Sequence, residues 1–572
     1  MSGIGRGPGG VVRAFPSACL AAALVMIVGL LSSCTGASAG GGCVEVAVAV
    51  TAELEPIAAR DAAGFDGKVH GRCVKVNVRS LSSSHGAAVA SGQEIDQDLG
   101  RPDAWVPDSS VWIPVARSSP TGEASVAVSG TSLASSPLVF ALSAKVAAKM
   151  PKSRSGPSWR KLLPSKLGAE GAAPSPSAPA FEVADPATTT AGLGTLLAMH
   201  RNAPHGTAGL VPFAISLYGF QFHTTPDVST LVSDIARTGR RPVTGVVPEQ
   251  AVWAQNASDP DDPLAALQPA EGTVYLDYPY VLTTKDRTRA EAAAAFGDVL
   301  RSPAGQSAIA ASGFRAPNHR AGAPLLRLTR GGKVPPRPLT LPAVNVTASI
   351  RRMWSRVVLG SQMLVLLDVS PSMGDPVPGT GTSRIRAITK VAAQGLRLFG
   401  PSTDNGLWLF ATKLDGDRDY EQVAPLARLD AKRHGKTQRQ LLEEQYATTQ
   451  PRPHTRTGLY DSILASFEYM QKHYAPNRNN FVVVFTDGKN YDPGAGISLN
   501  ELLRRLGQET DPARPVAIIP IAFGKDVDPE ALNKVAKLTR SQAFVTVNPG
   551  QIQQVFLKML IRLTCDTDCP VP

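Results

Sequence analysis

Met363-Leu364-Val365-Leu366-Leu367 is an unbroken apolar run that stops at Asp368-Val369-Ser370-Pro371-Ser372. So short a run, apolar at every position, suits a strand buried on both faces, as in a parallel sheet covered by helices. Alternate residues of an extended segment turning out of a strand project to the same side. Asp368, Ser370 and Ser372 therefore offer one carboxylate and two hydroxyls to a single point. All three are hard oxygen donors, the type that suits Mg²⁺ or Mn²⁺. In open α/β sheets, ligands bind beyond the carboxyl ends of the strands, which is where this trio falls.

Two further segments extend the pattern. Thr457-Gly458-Leu459-Tyr460-Asp461 opens a helix, and Phe481-Val482-Val483-Val484-Phe485 is a second buried strand running into Thr486-Asp487-Gly488. Together these resemble the metal-ion-dependent adhesion site of von Willebrand factor type A domains, whose signature is Asp-x-Ser-x-Ser, a distant Thr, and an Asp after a later strand. The resemblance implies metal ligands at Asp368, Ser370, Ser372, Thr457 and Asp487. One departure is Arg456, where many members carry Gly, and it could alter how the loop approaches the ion.

The surrounding sequence alternates as a doubly wound fold requires. Helical spacing of apolar residues runs from Ile385 to Phe399, and further helices are expected over Arg439–Tyr446, Leu459–Lys472 and Leu499–Gly507. Leu407–Phe410 and Val516–Phe523 read as strands. Asp528-Pro529 is an N-cap followed by proline at the first helical position. Such alternation gives a mainly parallel, Rossmann-like sheet with helices on both faces. The domain is expected over 359–565, with a C-terminal tail at 566–572.

At the other end, Arg6 and Arg13 precede the apolar stretch Leu20–Leu31, which is short of the ~20 residues a bilayer span needs. It fits a signal-peptide core, with an uncleaved anchor as the alternative. Leu31-Ser32-Ser33-Cys34 resembles a bacterial lipobox, which implies lipidation at Cys34, a signal over 1–34, a flexible tether over 35–42, and a cell-membrane protein facing the extracytoplasmic side. Cys43, Cys73, Cys565 and Cys569 then remain, and an even number in an exported chain reads as disulfides. Three pairings are possible. Cys43–Cys73 and Cys565–Cys569 are favoured because each joins sequence neighbours at a domain edge.

The net charge of +11 invites a nucleic-acid reading, but its placement argues against one. Val299 to Leu367 contains no Asp or Glu, while Arg and Lys recur from Arg301 to Arg356. The excess belongs to one stretch that includes a basic, Pro/Gly-rich linker expected over 316–358. In an exported protein such a stretch meets anionic headgroups or acidic polymers, or is a solvated linker with incidental charge.

Residues 43–315 form a second region. Val44–Val50 and Val74–Val78 alternate as strands, followed by Pro102–Trp112, Ser136–Leu142 and Tyr275–Leu282. In that order they resemble the bacterial extracellular solute-binding proteins of ABC importers, which implies two α/β lobes joined by crossing strands. The first lobe would hold Cys43–Ala124 plus Thr273–Arg315. Loop serines Ser83, Ser109 and Ser110 are candidate ligand contacts, and Asp277 is expected as a buried hinge carboxylate. Pro151–Pro179 reads as a surface excursion containing a short amphipathic helix at Trp159–Leu163.

No Gly-x-Ser-x-Gly, His-Glu-x-x-His or Gly-x-x-x-x-Gly-Lys-Ser/Thr occurs, and the nine His are scattered without ligand spacing. Asp415-Gly416-Asp417-Arg418-Asp419 shares the acidity of a Ca²⁺ loop but lacks its 12-residue pattern. The expectation is a non-enzymatic lipoprotein whose metal takes a carboxylate from a protein partner, with the solute-binding-like region as sensor or scaffold. The alternative is a transport component that captures a small solute.

Overall fold

The computed structural model describes residues 42–97, 100–149, 156–163, 179–237, 242–329, 334–493, 496–546, 551, 555, 558–559 and 561. The expected signal segment, Cys34, the expected tether up to residue 41, Cys565, Cys569 and the expected tail lie outside them.

Three six-stranded sheets organise the chain. In the first, Val44–Val50 lies centrally and pairs in parallel with Arg72–Ser80 and Ala104–Val106. Val281–Leu282 returns antiparallel beside Ala104–Val106. In the second, Ser136–Ser143 and Val243–Pro248 pair antiparallel at the centre, flanked by Leu264–Leu267 and Ala180–Ala184. The chain passes from the first sheet to the second between Val128 and Ser136, and returns between Leu276 and Val281. These two crossings make the two lobes that the sequence implies. Cys43 and Cys73 form a disulfide with Cα atoms 4.5 Å apart, at the starts of the paired strands Val44–Val50 and Arg72–Ser80.

The third sheet runs Arg418–Arg428, Asp404–Asp415, Ser361–Asp368, Asn479–Gly488, Val516–Asp526, Phe544–Thr546. All its pairings are parallel except the hairpin between the first two strands. Every residue of Ser361–Asp368 is buried, the consequence of helices on both faces. Leu459–Lys472 covers one face with Ile463, Phe467 and Met470, while Arg384–Leu396 covers the other with Ile385 and Ile388.

Two expectations are corrected. The basic linker holds a helix, Val344–Leu359, whose buried residues Thr347, Ile350, Met353, Trp354 and Val357 recur at helical spacing. Burying Ile350, Met353 and Val357 is worth roughly 1.5–3 kcal/mol each, and that apolar stripe outweighs the Pro/Gly composition just before it. The preceding stretch is tied down too: Thr273 donates its N–H to the Arg337 carbonyl at 2.8 Å, and Leu339 N–H returns to Thr273 at 2.7 Å. Secondly, Trp159–Leu162 is a single 3₁₀ turn rather than an exposed amphipathic helix. Trp159 is fully buried and donates its indole N–H to the Gly272 carbonyl at 2.8 Å.

The turn after the helix Arg384–Leu396 touches the second lobe directly. Tyr218 and Phe399 meet edge-to-face with ring centroids 5.8 Å apart, and Gln221 Nε2 donates to the Leu398 carbonyl at 3.0 Å.

Candidate metal centre and cleft

Strand Ser361–Asp368 ends with Asp368 wholly buried. The backbone then turns so that Ser370 N–H donates to Asp368 Oδ1 at 2.8 Å. Ser370 Oγ and Ser372 Oγ lie 3.2 Å apart, and Ser372 Oγ donates to Asp487 Oδ1 at 2.8 Å. Asp487 arrives from the end of Asn479–Gly488, the neighbouring parallel strand. Four of the five expected metal ligands thus form one hydrogen-bonded chain. The fifth, Thr457, is brought alongside by the loop after that strand: Tyr491 N–H donates to the Thr457 carbonyl at 3.0 Å. A Cβ placed on Gly488 would lie 3.7 Å from Thr457 Oγ1.

Two residues that the sequence reading did not single out complete the centre. Thr486 Oγ1 donates to Asp368 Oδ2 at 2.7 Å. Arg384, the first residue of Arg384–Leu396, donates through Nη1 to Asp487 Oδ2 at 2.7 Å. Thr486 adjoins Asp487 in the sequence and was within reach of it. Arg384 is brought in from far along the chain, and no local pattern marks it.

Burial, then the charge of Asp487, pushes the Asp368 carboxyl up to about 7. Asp487 is also raised, by burial, with Arg384 and Ser372 pulling the other way. Of these two buried carboxylates Asp487 pairs with the Arg384 guanidinium, so when both ionise a negative charge is left uncompensated. With two serine hydroxyls and a threonine beside them, this donor set fits a hard divalent cation. The unusual Arg456 points elsewhere. Its guanidinium lies 5.6 Å from the centre of the Tyr491 ring, and its N–H donates to Thr412 Oγ1 at 2.7 Å.

The acidic segment at 415–419 forms the turn of the Asp404–Asp415/Arg418–Arg428 hairpin, with Gly416 at φ +64°. There Asp419 joins Asp461 and Asp492, with carboxylate oxygens within 4.8 Å of one another. Asp419 Oδ1 accepts from Lys413 N–H at 2.8 Å, and Asp461 Oδ2 from Ile497 N–H at 3.0 Å.

In the cleft between the lobes, the candidate serines are engaged by the protein itself. Ser83 Oγ donates to Asp108 Oδ1 at 2.5 Å. Ser109 Oγ accepts from Val111 N–H at 3.3 Å, and Ser110 N–H donates to Asp277 Oδ1 at 2.7 Å. Asp277 does sit at the returning crossing, but it is only partly buried. From the second lobe, Thr190 Oγ1 also donates to Asp108 Oδ1, at 2.5 Å, and accepts from Trp112 Nε1 at 2.6 Å. Ser84 Oγ donates across to the Thr188 carbonyl at 3.0 Å. Burial raises Asp108 to about 6, opposed by Ser83 and Thr190 and reinforced by Glu53 and Asp277.

The family comparisons agree with both architectures. Residues 46–315 match the family of bacterial extracellular solute-binding proteins, and residues 363–557 match the von Willebrand factor type A domain. The chain is a solute-binding domain followed by a type A domain. An uncharacterized protein of Mycobacterium tuberculosis (strain ATCC 25618 / H37Rv) is 25% identical over 520 residues, covering 83% of this chain and 69% of that protein. Among solved structures, a periplasmic thiamin binding protein is 16% identical with a TM-score of 0.40, covering 55% of this chain and 96% of that one. The mussel byssus proximal thread matrix protein 1, with a zinc-occupied adhesion-site motif, is 15% identical with a TM-score of 0.28. That match covers 36% of this chain, which spans about half (48%) of the mussel chain.

Both domains are of binding type, and an extracellular solute-binding domain implies the extracytoplasmic side of the membrane. Among the described residues, no helix is long and apolar enough to cross a membrane.

Proposed function

We propose that this chain is a lipid-anchored surface protein that grips a protein partner through a divalent ion, Mg²⁺ or Mn²⁺, held by Asp368, Ser370, Ser372, Thr457 and Asp487. The observation that carries this reading is the convergence of Asp368, Ser370, Ser372 and Asp487 from two adjacent strand ends into one hydrogen-bonded chain, joined at Asp368 through the Ser370 N–H. A bound ion ligated largely by neutral hydroxyls stays electrophilic and offers a coordination position to a partner's carboxylate. The residues around it orient the donors: Thr486 fixes Asp368, and Arg384 holds one oxygen of Asp487 away from the ion.

The solute-binding domain serves as scaffold or sensor. Asp108, Thr190 and Trp112 hydrogen-bond the two lobes to each other where a solute would enter, which favours a scaffold over a transport component.

The test is affinity capture from envelope extract, in Mg²⁺ and in EDTA, with Ser370→Ala alongside. A partner retained only in Mg²⁺ and lost in the variant supports the reading. A partner held equally in EDTA, or no partner at all, overturns it. A thermal-shift screen of small solutes then decides the transport alternative, because a ligand stabilises by RT ln(1+[L]/Kd).

A further inference from the structure

A cavity lies where the connecting helix Val344–Leu359 meets the first lobe. With a volume of about 350 Å³, it opens between Val111, Pro114 and Val115 of the lobe and Leu341, Val344 and Arg351 of the connector. Its walls are mainly aliphatic. Arg351 is the charged side chain on its rim, and it is unusually placed for an arginine.

The Arg351 guanidinium lies 5.1 Å from the centre of the Trp112 ring. Its Nε is shut off from solvent and has no hydrogen-bond partner. Burial lowers its pKa, with no carboxylate opposing the effect. A partly buried guanidinium whose Nε is shut off from water, with no ion pair to it among the described residues, is costly to hold unless something supplies an anion. By contrast, Arg315 has Glu249 at 2.6 Å and Arg384 has Asp487 at 2.7 Å.

An apolar cavity with one uncompensated planar cation at its rim matches a ligand with an apolar body and a flat anionic head. A carboxylate suits the guanidinium because the two make parallel hydrogen bonds. At ~30 Å³ per water-sized group, the cavity takes on the order of a dozen methylene-sized groups. It falls at the small end of the volumes that ligand pockets usually have.

We propose that this pocket binds an aliphatic monocarboxylate of about ten carbons, chain inward and carboxylate on Arg351. The site is independent of the metal centre and of the partner reading above. Ser110, singled out in the sequence as a cleft contact, lines this pocket.

The experiment is calorimetric titration of the full chain with decanoate, below its micellar concentration, and with decanol and propionate as controls for chain and head. Decanoate is expected to bind at least tenfold tighter than either control. Arg351→Gln should reduce decanoate to the level of decanol. Val115→Trp, which fills the cavity, should abolish binding of both, while Ser370→Ala leaves decanoate affinity unchanged. The proposal is overturned if the wild-type chain does not bind decanoate, if decanol binds equally well, or if Arg351→Gln retains full affinity. Should Arg351→Gln fail to fold, the decanol comparison and Val115→Trp still decide.

Discussion

Trp354 Nε1 donates to Asp185 Oδ1 at 2.8 Å, joining the helix that leads into the type A domain to the loop before Thr190–Asn202 in the second lobe. The same oxygen accepts from Ala187 N–H at 2.9 Å. Three residues further on, that loop makes the cleft contacts through Thr188 and Thr190. One short segment, 185–190, thus touches the type A connector on one side and the first lobe on the other.

Trp354→Phe should therefore cost about 1 kcal/mol, the usual net worth of one hydrogen bond, because Asp185 is only partly buried and keeps its bond from Ala187. Urea unfolding followed by circular dichroism measures it. A change within error would mean that water replaces the indole at no cost.

The cleft should titrate. Asp108 has a folded-state pKa near 6, above the unfolded carboxyl value of ~3.9. Its contribution to stability is complete below pH 4 and is lost as pH rises through 6. Between pH 5 and 7.5 the wild-type chain should lose about 1.3 kcal/mol relative to Asp108→Asn, which keeps an acceptor for Ser83 and Thr190. Parallel melting curves of the two proteins across that range test this. Curves of equal slope would show that Asp108 is not the group responsible.

In the proposed metal centre, Arg384 would compete with the ion for Asp487, to which it donates at 2.7 Å. Arg384→Ala removes a positive charge beside two carboxylates, and divalent affinity should rise about tenfold at low ionic strength, the size of an attraction change near 1.4 kcal/mol. Asp368→Ala should abolish binding altogether. Mn²⁺ titration followed by electron paramagnetic resonance reads both variants. Weaker binding in Arg384→Ala would show that the guanidinium organises the site rather than competing for it.

Arg315 and Glu249 are both buried and doubly hydrogen-bonded, at 2.6 and 2.9 Å. Arg315→Met should cost about 3–5 kcal/mol because it strands the Glu249 carboxylate. The double variant Arg315→Met/Glu249→Leu should recover most of that loss. A thermal melt of the single and double variants gives the answer, and additive losses would contradict a coupled pair.

Much of the type A domain was legible before any coordinates. Leu459–Lys472 forms over the residues that the apolar spacing marks, and Asp528 caps its helix by accepting from Ala531 N–H at 3.0 Å. These features are local, so a few neighbouring residues suffice to encode them. Apolarity marks only Leu407–Phe410 as strand, whereas the strand runs from Asp404 to Asp415. Its polar second half, Thr412–Asp415, is held by the antiparallel hairpin rather than by burial, so hydropathy could not show it. The helix Val344–Leu359 was missed for a related reason. Its apolar stripe follows a run of prolines and basic residues, and composition over that longer window reads as linker.

By itself, the sequence determined the alternation of strands and helices, the two-domain order, and which carboxylate and hydroxyls stand at the strand end, because strand period and burial act over a handful of residues. Tertiary structure alone decided that Arg384 reaches Asp487, that Asp108 is locked between the lobes, and that Arg351 lies over Trp112 without an anion. Those pairs are separated by 82 to 239 residues in the chain. Only packing of whole elements brings them together, and no local pattern carries the energy of such a contact.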